Sequence, residues 1–593
     1  MSRLRGEDFL VYRYIQNMEA RMNDDQRDML RRIWAPTVVA TPLGDSRRDV
    51  CVLPDGEIRS YGRLYGKNDE DKNVQTAYLS SVDGGISWTR HYAHGIMNSC
   101  TYFPTPDLYI TACDAHNNSV EDGDGLWVLR SKIGPDDPAP EIIKLSDGAY
   151  GDTFLPRQSA YGNRIWFTTQ CSADYNTRVA TFFFSDDWGA TWQKRELPPV
   201  RPLPVEYPHK GPRWSIASGT EPYVTELSEG EMIMIIRTPT DCFYKSYSHD
   251  GGDTWSTPEP STFWGTNTTA FFLRLSDGRV ITFWNNTKPL PEEDHRATRP
   301  PVTEKTVIGR HEDVFTNRDA AHAAISEDGG KTFIGYREIL LNPIRQHTDF
   351  RYVGGVMSSN DKSVHQFQAF ELPFGKILVS AGQNTVSRRL VIFDVNWLYE
   401  TSRREDFLLG LDALTTHTYV RSISGCTVGR VGNGHCAWNR APSAYLMPDP
   451  DGGYGEMLYI CKRHDDRLWG DIGGAVWNFP ASKTGRVTVE LRMVEKQARF
   501  TLTDRWYNTC DPYAAELSPF SFELDAERIG TELMRVDADF DTERRIAVIS
   551  VNGTCVGETE MRGVCTTGIS YLLLQCATEG DSDGFYVRSL EKA

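Results

Sequence analysis

One eight-residue pattern, Ser-x-Asp-x-Gly-x-(Ser/Thr)-(Trp/Phe), restricts the fold of this chain more than any other feature. It reads Ser81-Val-Asp83-Gly-Gly85-Ile-Ser87-Trp88, then Ser185-Asp-Asp187-Trp-Gly189-Ala-Thr191-Trp192. It returns as Ser248-His-Asp250-Gly-Gly252-Asp-Thr254-Trp255 and Ser326-Glu-Asp328-Gly-Gly330-Lys-Thr332-Phe333. Such a segment makes a hairpin turn: the aspartate accepts backbone N–H groups, the glycine supplies a positive φ, and the aromatic ring plugs between adjacent sheets. These aspartates are therefore structural. Between residues 38 and 400, short β-rich runs such as Thr181-Phe-Phe-Phe-Ser185, Met232-Ile-Met-Ile-Ile236 and Lys376-Ile-Leu-Val-Ser380 alternate with Gly/Asp/Pro turns. No long helical pattern interrupts them, which implies a sandwich, a barrel or a propeller. The four aspartates stand 104, 63 and 78 residues apart. For a propeller, at roughly 40–60 residues per blade, this region would accommodate six blades, two of them without the pattern.

A chain of 593 residues exceeds one ordinary domain. Residues 1–37 form an N-terminal helical segment, in which Phe9, Leu10, Ile15, Met18, Met22, Met29, Leu30 and Ile33 recur at three- and four-residue steps. Asn23-Asp24-Asp25 divides it into two helices, with Asn23 or Asp24 capping the second. This segment packs against the main domain, which spans 38–400. The remainder, 401–593, is again rich in strands, among them Arg545-Ile-Ala-Val-Ile-Ser-Val-Asn-Gly553 and Gly568-Ile-Ser-Tyr-Leu-Leu-Leu-Gln575. The fold class is all-β.

The formal net charge of −17 and the lack of any long Lys/Arg run exclude nucleic acid as a partner. An anionic small substrate needs a local arginine cluster to override that field. No stretch approaches the roughly 20 apolar residues of a membrane span. Residues Met1 to Glu7 lack the apolar core of a secretory leader. The twelve cysteines are scattered without a CxxC pair, which argues against zinc and against a disulfide framework. A cytoplasmic protein with buried thiols is the expectation, or a secreted one if a leader has been removed. No histidine spacing suits a catalytic metal, and no cofactor is implied.

The repeated pattern resembles the Asp box of sialidases. The resemblance implies a six-bladed β-propeller, and the C-terminal strands resemble the concanavalin-like or laminin-G-like β-sandwiches that accompany such propellers. That sandwich would serve as a lid, as a dimer surface in a homo-oligomer, or as a carbohydrate-binding module. Sialidases hold the substrate carboxylate with three arginines, use a Tyr/Glu pair as nucleophile and base, and use an aspartate as acid/base. Glu221-Pro-Tyr-Val-Thr-Glu-Leu-Ser-Glu-Gly230, followed by Met232-Ile-Met-Ile-Ile-Arg237, is similar to the family segment that carries the glutamate and the second arginine. Paired strands there place Glu221 and Arg237 at one end of a hairpin. Arg318, one strand before the fourth motif, matches the third arginine, and Arg47 or Arg48 matches the first, although the Ile-Pro that follows it in sialidases is missing. The acid/base falls on Asp69 or Asp71 in the loop before the first motif.

The nucleophile departs from the family. The strand His365-Gln366-Phe-Gln-Ala-Phe-Glu-Leu372 has no tyrosine where sialidases carry one. Tyr352 could substitute. Otherwise His365 occupies the pocket and serves as a base, as in a uronate-directed lyase or an inverting hydrolase. His209, Lys210 and Trp214 form a candidate rim, with Trp214 stacking on a sugar or simply packed in the core. The expected function is an exo-acting glycoside hydrolase that removes a terminal acidic sugar from a glycan. The alternatives are a same-fold enzyme with different chemistry through His365, and a glycan-binding propeller without catalysis.

Overall fold

The computed structural model describes residues 5–44, 50–64, 75–114, 124–174, 177–198, 220–238, 240–265, 268–288, 293–294, 312–313, 317–343, 363–382, 387–419, 440–453, 455–464 and 473–593. It is mostly β.

Two helices open the chain. Helix α1 covers Gly6–Arg21 and helix α2 covers Asp24–Arg32. The break falls at the expected place because Asn23 caps α2: its side chain accepts from the Gln26 N–H while the Gln26 side chain accepts from the Asn23 N–H. This reciprocal pair satisfies two donors that a helix start otherwise leaves open.

Among the described residues, six antiparallel sheets of four or five strands follow in chain order, besides the short pair Glu293–Asp294 and Glu312–Asp313. The first joins Val50–Val52, Ile58–Leu64, Gln75–Ser81 and Thr89–Tyr92. The second joins Thr101–Phe103, Leu108–Asp114, Leu126–Ser131 and Glu141–Ser146. In the third, the short strands Tyr150–Gly151 and Arg157–Gln158 both pair with Ile165–Asp174, which continues to Thr177–Ser185 and Gln193–Glu196. The fourth contains Thr220–Ser228, Glu231–Arg237, Cys242–Ser248 and Glu259–Trp264. The fifth contains Phe271–Arg274, Val280–Trp284, Ala320–Ser326 and Ile334–Leu341. Gln368–Leu372, Lys376–Ala381 and Arg389–Asp394 build the sixth, and its outer strand is Thr37–Ala40 from the beginning of the chain.

Packing runs from each sheet to the next. Trp166 and Phe182 of the third sheet share a core with Val224 and Met234 of the fourth. Val50 and Ile58 of the first share one with Leu378 and Ile392 of the sixth, sealed by Met18, Met22 and Leu30 of the helices. A cavity of about 100 Å³ is lined by residues from each of the six sheets, including Val52, Thr101, Arg157, Tyr223, Phe271 and Gln368. Leu10 and Tyr14 of α1 face it as well.

Each motif turn closes as its residues dictate. Asp83 Oδ1 accepts from the Ile86 and Ser87 N–H groups, Ser81 Oγ accepts from the Gly85 N–H, and Trp88 Nε1 donates to the Gly85 carbonyl. Gly252 adopts φ +96°, and a Cβ there would stand 2.3 Å from the Phe182 ring of the neighbouring sheet. The ring of Trp255 packs edge-on against that same Phe182, with centroids 5.3 Å apart. The sheets without the motif use other turns. In the second, Ser131 Oγ donates to Asp137, and in the sixth, Asp394 caps a 3₁₀ turn over Val395–Tyr399.

Among the described residues, most C-terminal strands form two further sheets, while His417–Tyr419 pairs separately with Arg440–Pro442. An eight-stranded one is centred on Ser582–Lys592 and Thr484–Met493, and a five-stranded one on Ile569–Cys576 and Gln497–Thr503. Val489, Leu491 and Phe585 of the larger sheet share one buried core with Trp477, Phe500 and Leu572 of the smaller. The expected strands near 545–553 and 568–575 are present as Ile546–Val551 and Ile569–Cys576. The ten described cysteines are all free thiols.

Candidate functional site

Strand register decides which residues can meet. In the fourth sheet Thr220 pairs with Arg237 at one end, while Met232 pairs with Ser248 next to the motif turn at the other. In the fifth, Arg318 stands two residues before Ala320–Ser326, whose far end carries Ser326 of the fourth motif. In the sixth, His365 and Gln366 precede Gln368–Leu372, and Arg388 precedes Arg389–Asp394. All of these side chains therefore stand at the strand ends remote from the motif turns.

Polar contacts link Glu221 to Arg237 and Gln366, and His365 to Arg318. Arg237 Nη1 donates to Glu221 Oε2 at 2.6 Å, and both side chains are almost wholly buried. Gln366 Nε2 donates to the other Glu221 oxygen at 3.4 Å. The preceding residue, His365, lies with Nε2 3.1 Å from Arg318 Nη1. A guanidinium has donors and no acceptor, so His365 Nε2 is the acceptor and the ring proton sits on Nδ1. Nδ1 is 2.7 Å from Ser363 Oγ, to which it donates. On the other side, Gln170 Oε1 accepts from the Glu221 N–H at 3.1 Å while its Nε2 donates to Asp152 at 2.8 Å. Arg388 donates from Nη1 to the Leu43 and Gly44 carbonyls and from Nη2 to that of Tyr61.

The backbone beneath these groups is strained. Asp152, Glu221, Asn317 and Gln366 have φ of +54°, +46°, +48° and +64°. A side chain in this left-handed region costs about 1–2 kcal/mol per residue. Such conformations persist where the surroundings over-determine them, and they gather at ligand sites. Four of them around one set of charges mark this end of the sheets as built for more than packing. A buried ion pair such as Arg237–Glu221 also adds little net stability, because desolvation offsets its attraction.

Of the residues singled out from the sequence, Glu221, Arg237, Arg318 and His365 are brought together here. Arg47, Arg48, Asp69, Asp71, Trp214 and Tyr352, together with His209 and Lys210, lie outside the described residues. The sequence reading missed Asp152, Gln170, Gln366 and Arg388. Positive φ at two of these, Asp152 and Gln366, had no glycine to announce it, and Arg388 read as an ordinary strand start. Among the described residues, no group of three His, Cys, Asp or Glu side chains could hold a metal ion.

Residues 151–347 match the family described as BNR repeat-like domain. The motifs at 185–192, 248–255 and 326–333 fall within that match. No curated protein matches the chain. Among solved structures, Trypanosoma rangeli sialidase aligns with 93% of this chain and 91% of its own at 13% identity and a TM-score of 0.34. A protein of unknown function from Dyadobacter fermentans aligns with 61% of this chain and 97% of its own, at 17% identity and a TM-score of 0.36.

Proposed function

We propose that the chain is an exo-acting glycoside hydrolase that removes a terminal acidic sugar, built as a six-bladed propeller with a C-terminal β-sandwich. The propeller reading rests on six open sheets in cyclic packing order, one shared axial cavity, and a last sheet completed by the first strand. Two arginines from neighbouring sheets, Arg237 and Arg318, joined through Glu221, Gln366 and His365, carry the functional reading. Cations set into a protein of net charge −17 suit an anionic ligand, and the planar guanidinium fork suits a carboxylate.

In this reading Arg237 and Arg318, with Arg47 or Arg48, clamp the sugar carboxylate. Glu221 polarises the nucleophile Tyr352, and Asp69 or Asp71 donates the proton to the leaving oxygen. His365 accepts from Arg318, which favours a prop for that arginine over a free base and so favours hydrolysis over lyase chemistry.

The test is a panel of fluorogenic glycosides of sialic, uronic and neutral sugars. Acidic glycosides should be cleaved, and Arg318→Ala should lower kcat/KM for them by about 10²–10³-fold. Equal turnover of neutral glycosides, or an unsaturated product lost with His365→Ala, would overturn the assignment.

A further inference from the structure

We propose that the C-terminal region is a working part of this site, with His417 and Tyr419 as positioning residues that hold Asp319 and, through it, Arg318. The inference rests on the reading of Arg318 as a carboxylate-binding residue.

Segment 317–319 enters the fifth sheet in a conformation that needs support, since Asn317 is left-handed at φ +48°. Its own half of the chain supplies part of that support. The Val364 N–H donates to the Arg318 carbonyl and the Asn342 N–H to that of Asp319, both at 2.8 Å. Asn342 Nδ2 donates to Asp319 Oδ1 at 2.8 Å. The second carboxylate oxygen faces the other half. His417 Nε2 donates to Asp319 Oδ2 at 3.2 Å, and the Tyr419 hydroxyl donates to the same atom. Asp319, His417 and Tyr419 are at most 1% exposed, so water does not reach this oxygen in their place. A carboxylate buried without its donors is strongly disfavoured, so loss of both would drive the segment to rearrange. Arg318 is covalently next to that carboxylate and shares its backbone.

The partners are themselves anchored. Asn508 Nδ2 and Thr509 Oγ1 both donate to the His417 carbonyl at 3.2 Å. Beside them the Trp506 N–H donates to the Asn286 carbonyl at 2.9 Å, and the Lys288 N–H donates to the Trp506 carbonyl at 2.8 Å. Asn285, adjacent to this bridge, donates to the carbonyls of Ala320 and Val364 at 2.7 and 3.0 Å, on either side of the Arg318 segment. A tethered module held by surface contacts would not share backbone hydrogen bonds and a core of Ala320, Tyr419, Trp506 and Tyr571 with the catalytic half.

The experiment uses the full chain with Tyr419→Phe, His417→Leu, and His417→Gln as the conservative replacement that keeps a donor. KM and kcat for an acidic fluorogenic glycoside are read separately, alongside hydrogen exchange of the 317–322 amides and thermal melting. Tyr419→Phe and His417→Leu should stay folded, exchange faster at 317–322, and raise KM by about ten- to a hundredfold with kcat little changed. His417→Gln should return KM toward the parent value. Folded variants with parental KM and parental exchange overturn the proposal. Faster exchange in a protein whose parent form turns over no acidic glycoside keeps the positioning role and overturns the proposed function instead. If His417→Leu fails to fold, Tyr419→Phe, which removes a single hydroxyl, decides the matter.

Discussion

The two ends of the six sheets are made from the same residue types and use them in opposite ways. At the motif end the third-position aspartate of each motif is satisfied chiefly by its own turn: Asp83 bonds only residues two to four positions away, apart from Gln26 of α2. At the other end Glu221 is met by Arg237 and by Gln366, 16 and 145 residues distant, and His365 is met by Arg318, 47 residues away. The lesson is about locality. A carboxylate whose donors are its sequence neighbours completes a structure wherever the turn is placed, whereas one whose partners come from several sheets exists only at a designated place in the fold. At Asp250 and Asp328 burial opposes ionisation, but the donors of the threonine and serine in the turn prevail and hold the carboxyl at about 2.

Breaking the distant pairing should cost most. Arg237→Met leaves the buried Glu221 carboxylate without its cation and should lower stability by about 3–5 kcal/mol in urea denaturation. Adding Glu221→Gln should recover more than half of that loss. A neutral single mutant would mean that the pair is not closed from water, and the contrast between the ends would lose its basis.

Breaking a local turn should cost less and leave chemistry alone. Asp83→Ala removes the acceptor of the Ile86 and Ser87 N–H groups and should cost about 1–3 kcal/mol, with turnover per folded molecule unchanged. Reduced turnover at full folding would give this aspartate a role beyond its turn.

The smallest effect sharpens the comparison through pH. Glu226 and Asp8 lie on the side where α1 docks. Burial pushes Glu226 up to about 7 against the donors Ala160 N–H and Ser159, and burial pushes Asp8 up to about 6 against Arg274. Because the folded form holds these protons more tightly than the unfolded chain, their stabilisation is complete below about pH 4 and is lost as pH rises toward 7. Tm should therefore fall between pH 5 and 8, and Glu226→Gln should lessen that fall by about 2–4 °C. An unchanged slope would assign the pH dependence to other groups.

Much of the fold was legible because its signals are local. The Ser-x-Asp-x-Gly pattern carries its own hydrogen-bond partners, and Asn23 with Gln26 carries its own cap, so both could be read without a third dimension. The pairing of Glu221 with Arg237 was legible for the same reason: the hairpin between them fixes their register. His365 was legible as a site residue but its role was not, since nothing in residues 365–372 says that Arg318 would donate to Nε2. The left-handed entries at Asp152, Glu221 and Gln366 carry no glycine, and so gave no sign.

What the sequence determined by itself is therefore the repeating unit: strands that alternate with self-satisfied turns, two capped helices, and arginines and a glutamate at predictable strand ends. Tertiary structure alone decided the meeting of those ends. It set Gln366 against Glu221, closed the last sheet with Thr37–Ala40, and brought His417 and Tyr419 to Asp319 from about 100 residues away. The physical reason is range. Backbone hydrogen bonding and side-chain pattern act over a few residues, whereas a buried charge takes its partner from whatever packing brings within about 3 Å.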